Sequence, residues 1–485
     1  TAIGSSSLAL NTTGEKNVAV GYVALEANTT GNQNTAVGEN ALADNTTANN
    51  NTAIGFDALG DNLTGSENTS IGAEALQKNT TADSNTAVGF RALEETTTGS
   101  SNTAVGRDSL EANTTGASNT AMGRDALSSN TTASNNTAFG FGSLLSNTTG
   151  DSNVAVGSNA LDANTTGRLN TALGKDALSA NTTANNNTSI GQGTLEVNTT
   201  GSENTALGRA ALNANTTASN NTALGYFALL TNTTGVQNVA IGSEALKSNL
   251  AASNNVAVGY KALSLNTSGT ANNALGRNAL RDCTSATGNA AYGQNSLVVV
   301  TTGNSNAAYG HDSGKELTTG SNNVFLGNDS GRANSPSGSI TTGSHNVVLG
   351  NNSTNNLFCA DTSISASDSR DKTDVADFTK GLDWIKALRP VTYRWDRRTW
   401  YGTDEEPFGT PDGSKKRARL HLGFLAQEAL EIEKANGYGD TNDNMLICNL
   451  TEDGMSYGMK YERLVPILVN AIKELSAKVT ALEAG

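Results

Sequence analysis

NTAVGENALADNTTANN (residues 34–50) runs directly into NTAIGFDALGDNLTGSE (51–67), a segment of the same length and nearly the same letters. One glycine per segment acts as a ruler. From Gly4, Gly21, Gly38 and Gly55 to Gly327, 20 such glycines stand 17 residues apart without an insertion, and Gly350 opens a last copy after a 23-residue step. A fixed period of this kind signals stacked repeats, none of which buries its apolar side alone.

The consensus is N-T-A-V-G-x-x-A-L-x-x-N-T-T-G-x-x. The residue before the ruler glycine is apolar in every copy, from Ile3, Val20 and Val37 through Phe139 and Tyr292 to Leu349, and is expected to face a core. A second column, four residues after the glycine, is Leu without a break from Leu8 to Leu297. T-A-V-G alternates as a short strand, while N-T-T-G carries the residues of a turn. Seventeen residues cannot hold two packed helices with loops, and the Asn/Thr-rich half is poor in helix formers, so a helical repeat is excluded. A parallel β-solenoid fits. Like positions then stack about 4.8 Å apart, Asn over Asn and Thr over Thr, in hydrogen-bonded ladders along a rod on the order of 100 Å long.

The core of one such coil is thin. Burying a Val and a Leu contributes about 1.5–3 kcal/mol each, whereas ordering each backbone residue costs roughly 1–2 kcal/mol. Several parallel chains are therefore expected, meeting through the small Ala and Gly face where another backbone can come close.

Composition divides the chain. Of 5 Pro in 485 residues none precedes Pro336, and Trp384, Trp395 and Trp400 all follow the array. A net charge of -14 argues against non-specific binding of nucleic acid or an anionic membrane, and no apolar run is long enough for a membrane helix. The chain opens inside a repeat, at Thr1, and reads as a piece of something longer. Cys283, Cys359 and Cys448 are too dispersed for a disulfide framework or a metal site, as are His311, His345 and His421 for a metal centre. No cofactor and no metal are expected.

Late in the array the second column changes to Gly314, Gly331 and Thr354, and Asn334 to Ser339 (NSPSGS) break the period, so the shaft is expected to loosen there. Beyond it, Phe378, Leu382, Ile385 and Leu388 fall on one helical face ending before Pro390. Val391, Tyr393 and Trp395 alternate as a strand, and HLGFLAQEALEIEK (421–434) passes from strand or turn into helix. Leu468, Ile472, Leu475, Val479 and Leu482 are spaced 4, 3, 4 and 3 as a short heptad seam. The boundaries expected are a repeat shaft at 1–333, an atypical last repeat and linker at 334–366, and a C-terminal domain at 367–485.

The N-T-A-V-G-x-x-A-L pattern, over roughly residues 1–350, resembles the head repeats of trimeric autotransporter adhesins and, more closely, the shaft repeats of phage tail-fibre proteins. Residues 367–485 resemble the endosialidase-type intramolecular chaperone, a self-cleaving serine peptidase at the end of trimeric phage fibres. That resemblance rests on Ser367-Asp368-Ser369-Arg370-Asp371-Lys372, on Gly423-Phe424-Leu425-Ala426-Gln427-Glu428, and on Tyr461 to Leu482 with Leu464 and Pro466. It implies a β-solenoid shaft in a homotrimer, followed by a small α+β chaperone domain ending in a coiled-coil-like helix. It further implies Ser367 as nucleophile, Lys372 as its base, and Ala366-Ser367 as the scissile bond. Lysine serves as a base only where burial favours its neutral form, which trimer assembly would supply. Asp371 stands where the family carries an apolar residue and opposes that deprotonation.

The expected function is a structural shaft of an extracellular fibre on a virion tail, with at most a single-turnover self-cleaving peptidase and no enzyme for external substrates. A cell-surface polysaccharide or protein is the expected receptor. The alternatives are a bacterial surface adhesin or self-assembling filament and, on the regular Thr arrays, an ice-binding solenoid.

Overall fold

The computed structural model describes residues 1–354, 372–402, 406, 408–451 and 454–484. Two compact units, Thr1–Gln294 and Asn295–Gly485, divide the chain. The array is a mainly β parallel solenoid of about 19 turns. In the first unit the strand Thr35–Val37 pairs in parallel with Thr52–Ile54, Ala36 opposite Ala53, so one coil is one 17-residue copy. Strands this short leave most backbone groups to be satisfied elsewhere. The rest of the coil supplies the bonds: Gly38 N–H donates to Val20 O (2.8 Å), Asn40 N–H to Tyr22 O (3.0 Å) and Leu42 N–H to Ala58 O (3.0 Å).

The strand faces are reversed from the expectation. The Ala in the middle of the strand points inward and is fully buried, as at Ala19, Ala36 and Ala53. The residue before the ruler glycine points outward instead, with Ile54 40%, Leu173 44% and Phe139 51% exposed. Three-residue strands send their first and third side chains to one side and the middle one inward, where the narrow coil of this unit admits Ala or Ser beside Leu. The small-residue face is thus spent inside the coil, and the face open to another chain is the aliphatic column.

The Leu column does line the core, fully buried from Leu25 to Leu280 in this unit. It reaches inward through a left-handed backbone: φ is 51° at Leu42 and 57° at Leu59, with Asn40 at 63° and Asn50 at 58° at the other bends. That conformation costs leucine about 1–2 kcal/mol, which burial of the side chain offsets. Only glycine fits the ruler position. Gly38 has φ 139°, and a Cβ there would lie 2.2 Å from the Gly55 carbonyl oxygen of the next coil.

Two buried asparagine ladders run beside the leucines. In the N-T-T-G column Asn45 Nδ2 donates to Asn28 Oδ1 (3.0 Å) and Asn62 Nδ2 to Asn45 Oδ1 (2.9 Å). The asparagine that opens each copy instead bonds to backbone on both sides. Asn51 N–H donates to Asn34 Oδ1 (3.0 Å), and Asn51 Nδ2 donates to Gly65 O (2.8 Å). The threonines add a third row, Thr29 Oγ1 donating to Thr46 O at 3.1 Å.

In the second unit the expected loosening gives way to repacking. Val300, Leu317 and Ile340 take the N-T-T-G asparagine positions and are buried, so this ladder turns apolar. Phe325 replaces the inward Ala and fills the space left by the missing leucines, since a Cβ on Gly314 or Gly331 would strike its ring at 2.8 or 2.4 Å. The strand Val324–Leu326 still pairs with Val347–Leu349 across the longer step, while Ile340 N–H closes the loop onto Gly331 O at 3.0 Å.

Among the described residues of the same unit are three α-helices, α1 (Leu382–Ala387), α2 (Ala426–Ala435) and α3 (Leu464–Glu483). Helix α1 starts later than the pattern beginning at Phe378 predicts, and the strand Val391–Tyr393 stops short of Trp395. That strand pairs antiparallel with His421–Gly423. Trp384, Leu388, Ala429, Leu430, Ile447, Leu464 and Ile467 form the core.

Several carboxylates of the shaft set its response to pH. Burial, reinforced by Asp44 and Asp57, pushes Asp61 above the usual carboxylate range. Burial does the same to Glu94, Glu111 and Asp162. A carboxyl raised on folding contributes stability that is complete below its unfolded pKa of about 4 and is lost as pH rises through the raised value. Asp312 runs the other way: burial pushes it up, but hydrogen bonds from Asn295 and Lys315 outweigh this and hold it low. Its contribution is present above about pH 4 and is lost as pH falls through the depressed value. Stability of the shaft followed from pH 7 downward is therefore expected to rise toward about pH 4, the unfolded carboxylate value, and to fall below it. A denaturant midpoint that falls steadily from pH 7 to 4 would contradict this assignment.

Candidate self-cleavage and assembly site

Of the dyad expected from the sequence, one member lies outside the described residues and the other within them. Ala366 and Ser367 lie outside them, as does Cys359. Lys372 is described, and its side chain is exposed in the single chain. The stretch that follows is laid against α3: Asn470 Nδ2 donates to Phe378 O at 2.5 Å, and Leu382 N–H donates to Glu474 Oε2 at 3.2 Å. Gly381 permits this approach, because a Cβ there would lie 2.6 Å from the Ala471 nitrogen.

The second and third motifs are brought together. Phe424 N–H donates to the Tyr461 hydroxyl at 3.2 Å, and the two rings lie 6.1 Å apart. Glu428 accepts two hydrogen bonds from Arg389, which hold its carboxyl below the usual range. The second motif opens α2, so its glycine and aromatic residue pack on the start of α3 while its acid ties back to the end of α1.

Helix α3 has two apolar stripes. Leu464, Ile467 and Ala471 are buried against the domain, and Pro466 sits in the first turn, where its missing N–H would have no intrahelical partner. The heptad residues Leu468, Ile472, Leu475, Val479 and Leu482 form a stripe that adjoins the buried one and are 43–82% exposed. A helix that already packs one side on its own domain and leaves a second stripe of large aliphatics in water is built to meet another helix.

Glu433 is a core acid that the sequence reading missed. It is fully buried and accepts backbone N–H bonds from Leu446 (3.0 Å), Ile447 (2.6 Å) and Cys448 (2.9 Å). The signal was present, since Glu433 follows Ala429 and Leu430 on the inward stripe of α2. The described cysteines are inert: burial pushes Cys283 to about 11, and burial with the neighbouring Glu433 pushes Cys448 to about 12. His311, Asp312 and Asp329 approach one another within 4.8 Å, which the spread of histidines along the chain did not reveal. Lys315 and Arg332 already neutralise both acids, at 3.0 Å and 3.1 Å to Asp312 and 2.7 Å to Asp329, so this is a structural ion-pair network.

The chain thus combines a β-solenoid of 17-residue repeats with a small C-terminal domain whose last helix carries an exposed apolar seam. The family model for the chaperone of endosialidase matches residues 367–438, and this match together with the solenoid fits a tail-fibre-like protein with a C-terminal chaperone domain. No curated protein and no solved structure matches the chain. Among the described residues, no helix is long and apolar enough to cross a membrane.

Proposed function

We propose that the chain is the shaft of a trimeric extracellular fibre, of the kind borne on a phage tail, whose C-terminal domain aligns three copies and then detaches by cutting before Ser367. The observation that carries this reading is the open seam of α3, continued in kind by the outward aliphatic column of the shaft: both are apolar surfaces that parallel copies would cover. Neighbouring chains would also supply the cover that Lys372 lacks in the single chain. Covered, its amine would take the Ser367 hydroxyl proton while Oγ attacks the Ala366 carbonyl carbon. The bond to the Ser367 nitrogen then breaks as that nitrogen takes the proton, and water hydrolyses the ester left behind. Cleavage would thus report completed assembly.

The test is a gel of boiled and unboiled protein beside a Ser367→Ala variant. Wild type is expected to give fragments 1–366 and 367–485 after boiling and a slow trimer band without it, whereas the variant keeps the trimer band but stays whole. Identical patterns from the two proteins would remove the peptidase role and leave the assembly role to be judged by the trimer band.

A further inference from the structure

Within the second unit, an open cleft of about 330 Å³ lies between the end of the last coil, at Asn352 and Thr354, and the segments around Trp395 and Arg417. Its charge is unbalanced. Arg397, Arg417 and Arg419 all line it, and among the described residues none of the three has a carboxylate partner. The nearby Asp396 is turned to the Tyr401 hydroxyl instead, at 2.7 Å.

The guanidiniums are held in place without being neutralised. Arg397 stacks over Trp395 at 4.3 Å and donates from Nη1 to Asn352 Oδ1 at 2.9 Å, while Arg417 stacks over Trp400 at 4.9 Å. Stacking fixes the plane of a guanidinium and leaves its edge free to form a fork with an oxyanion. Arg397 Nε and Trp400 Nε1 are buried with no hydrogen-bond partner, two orphaned donors beside one cleft. Burial disfavours the charged form of Arg397, and the nearby charge of Arg417 adds to this against the opposing effect of Tyr393.

We propose that this cleft is an oxyanion-binding site, taking a carboxylate, sulfate or phosphate group that is either free or carried on a saccharide. The anion would offset part of the charge shared by Arg397, Arg417 and Arg419, and a cleft of this volume leaves room for a saccharide that carries the group. The site joins the last coil to the C-terminal domain, so its occupancy would strengthen that joint.

The experiment is calorimetric titration of the full chain with sodium sulfate and, separately, sodium glucuronate, with sodium chloride at matched ionic strength as the blank. Saturable binding at one site per chain is expected with at least one probe, weakened at least tenfold by Arg417→Gln and unchanged by Lys386→Gln on α1. Arg419→Gln, at an exposed position, serves as the second variant if Arg417→Gln fails to fold. Preference for glucuronate would assign a sugar-borne carboxylate, and preference for sulfate a free inorganic anion. No saturable heat with either probe, or full binding retained by both arginine variants, would overturn the site. An acidic segment of a second copy already seated in the cleft would give the first of these results and count against the proposal.

Discussion

Asn153→Val is expected to destabilise its part of the shaft by about 2 kcal/mol, while Asn147→Val in the adjoining turn costs about 1 kcal/mol. The two asparagines are both fully buried and both belong to ladders, yet their partners differ. Asn153 Oδ1 accepts the Asn170 backbone N–H at 3.0 Å, and its Nδ2 donates to Gly167 O at 2.8 Å. Valine would orphan the Asn170 backbone N–H in a dry interior, worth about 1–3 kcal/mol, while Gly167 O keeps the bond from Asn164 Nδ2 at 3.0 Å. Asn147 Nδ2 donates to Asn130 Oδ1 and to the Gly150 carbonyl, each at 3.0 Å, and its Oδ1 accepts from Asn164 Nδ2 at 2.8 Å, so it serves a backbone carbonyl but no backbone N–H. The chain already contains the second substitution: Thr96, Cys283, Val300 and Leu317 stand in that column, and Asn79 Oδ1 is left without a partner below Thr96. The opening column is Asn in every copy from Asn17 to Asn346. Denaturant midpoints and hydrogen exchange of residues 150–170 would measure the difference. Equal losses at the two positions would show that the ladders are interchangeable and that the backbone bonds do not set the cost.

Ile472→Asp combined with Leu475→Asp is expected to leave the C-terminal domain folded and to abolish association. Both side chains lie on the exposed seam, at 65% and 52%, and touch none of the domain core. In an assembly each would bury most of a large aliphatic side chain, worth about 1.5–3 kcal/mol per residue per chain, and carboxylates set against like carboxylates would reverse that gain. Ile467→Asp makes the contrast. That position is 2% exposed within the core, so the change would place a charge among Trp384, Leu430 and Leu464 and unfold the domain. Circular dichroism with light scattering separates the two outcomes. A double variant that stays associated would show that α3 is not where the copies meet.

The period, the parallel stacking, the asparagine ladders and the Leu core could be read from the letters, because each coil reports on its neighbours through identical positions. The direction of the aliphatic column could not. Val37 and Ala36 alternate in the same way whichever side is inward, and the choice was made by coil width, a property of how 17 residues close. Nor does a leucine announce φ 51°, since that conformation at Leu42 is imposed by stacking against Ala58 of the next coil. In the C-terminal domain the heptad spacing was visible, and so were the motifs that meet at Phe424 and Tyr461. Glu433 was passed over as one more acid on a helix, because what distinguishes it is three backbone donors from a distant segment.

The most direct measurement is the mass of the full chain in dilute buffer by sedimentation equilibrium, made on Ser367→Ala so that cleavage cannot alter it. The account predicts three times the 49.6 kDa of one chain at micromolar concentration, falling to one chain with Ile472→Asp and Leu475→Asp. A well-folded species of 49.6 kDa before those changes would contradict it, since the outward aliphatic column and the α3 seam would then stand in water with nothing to cover them.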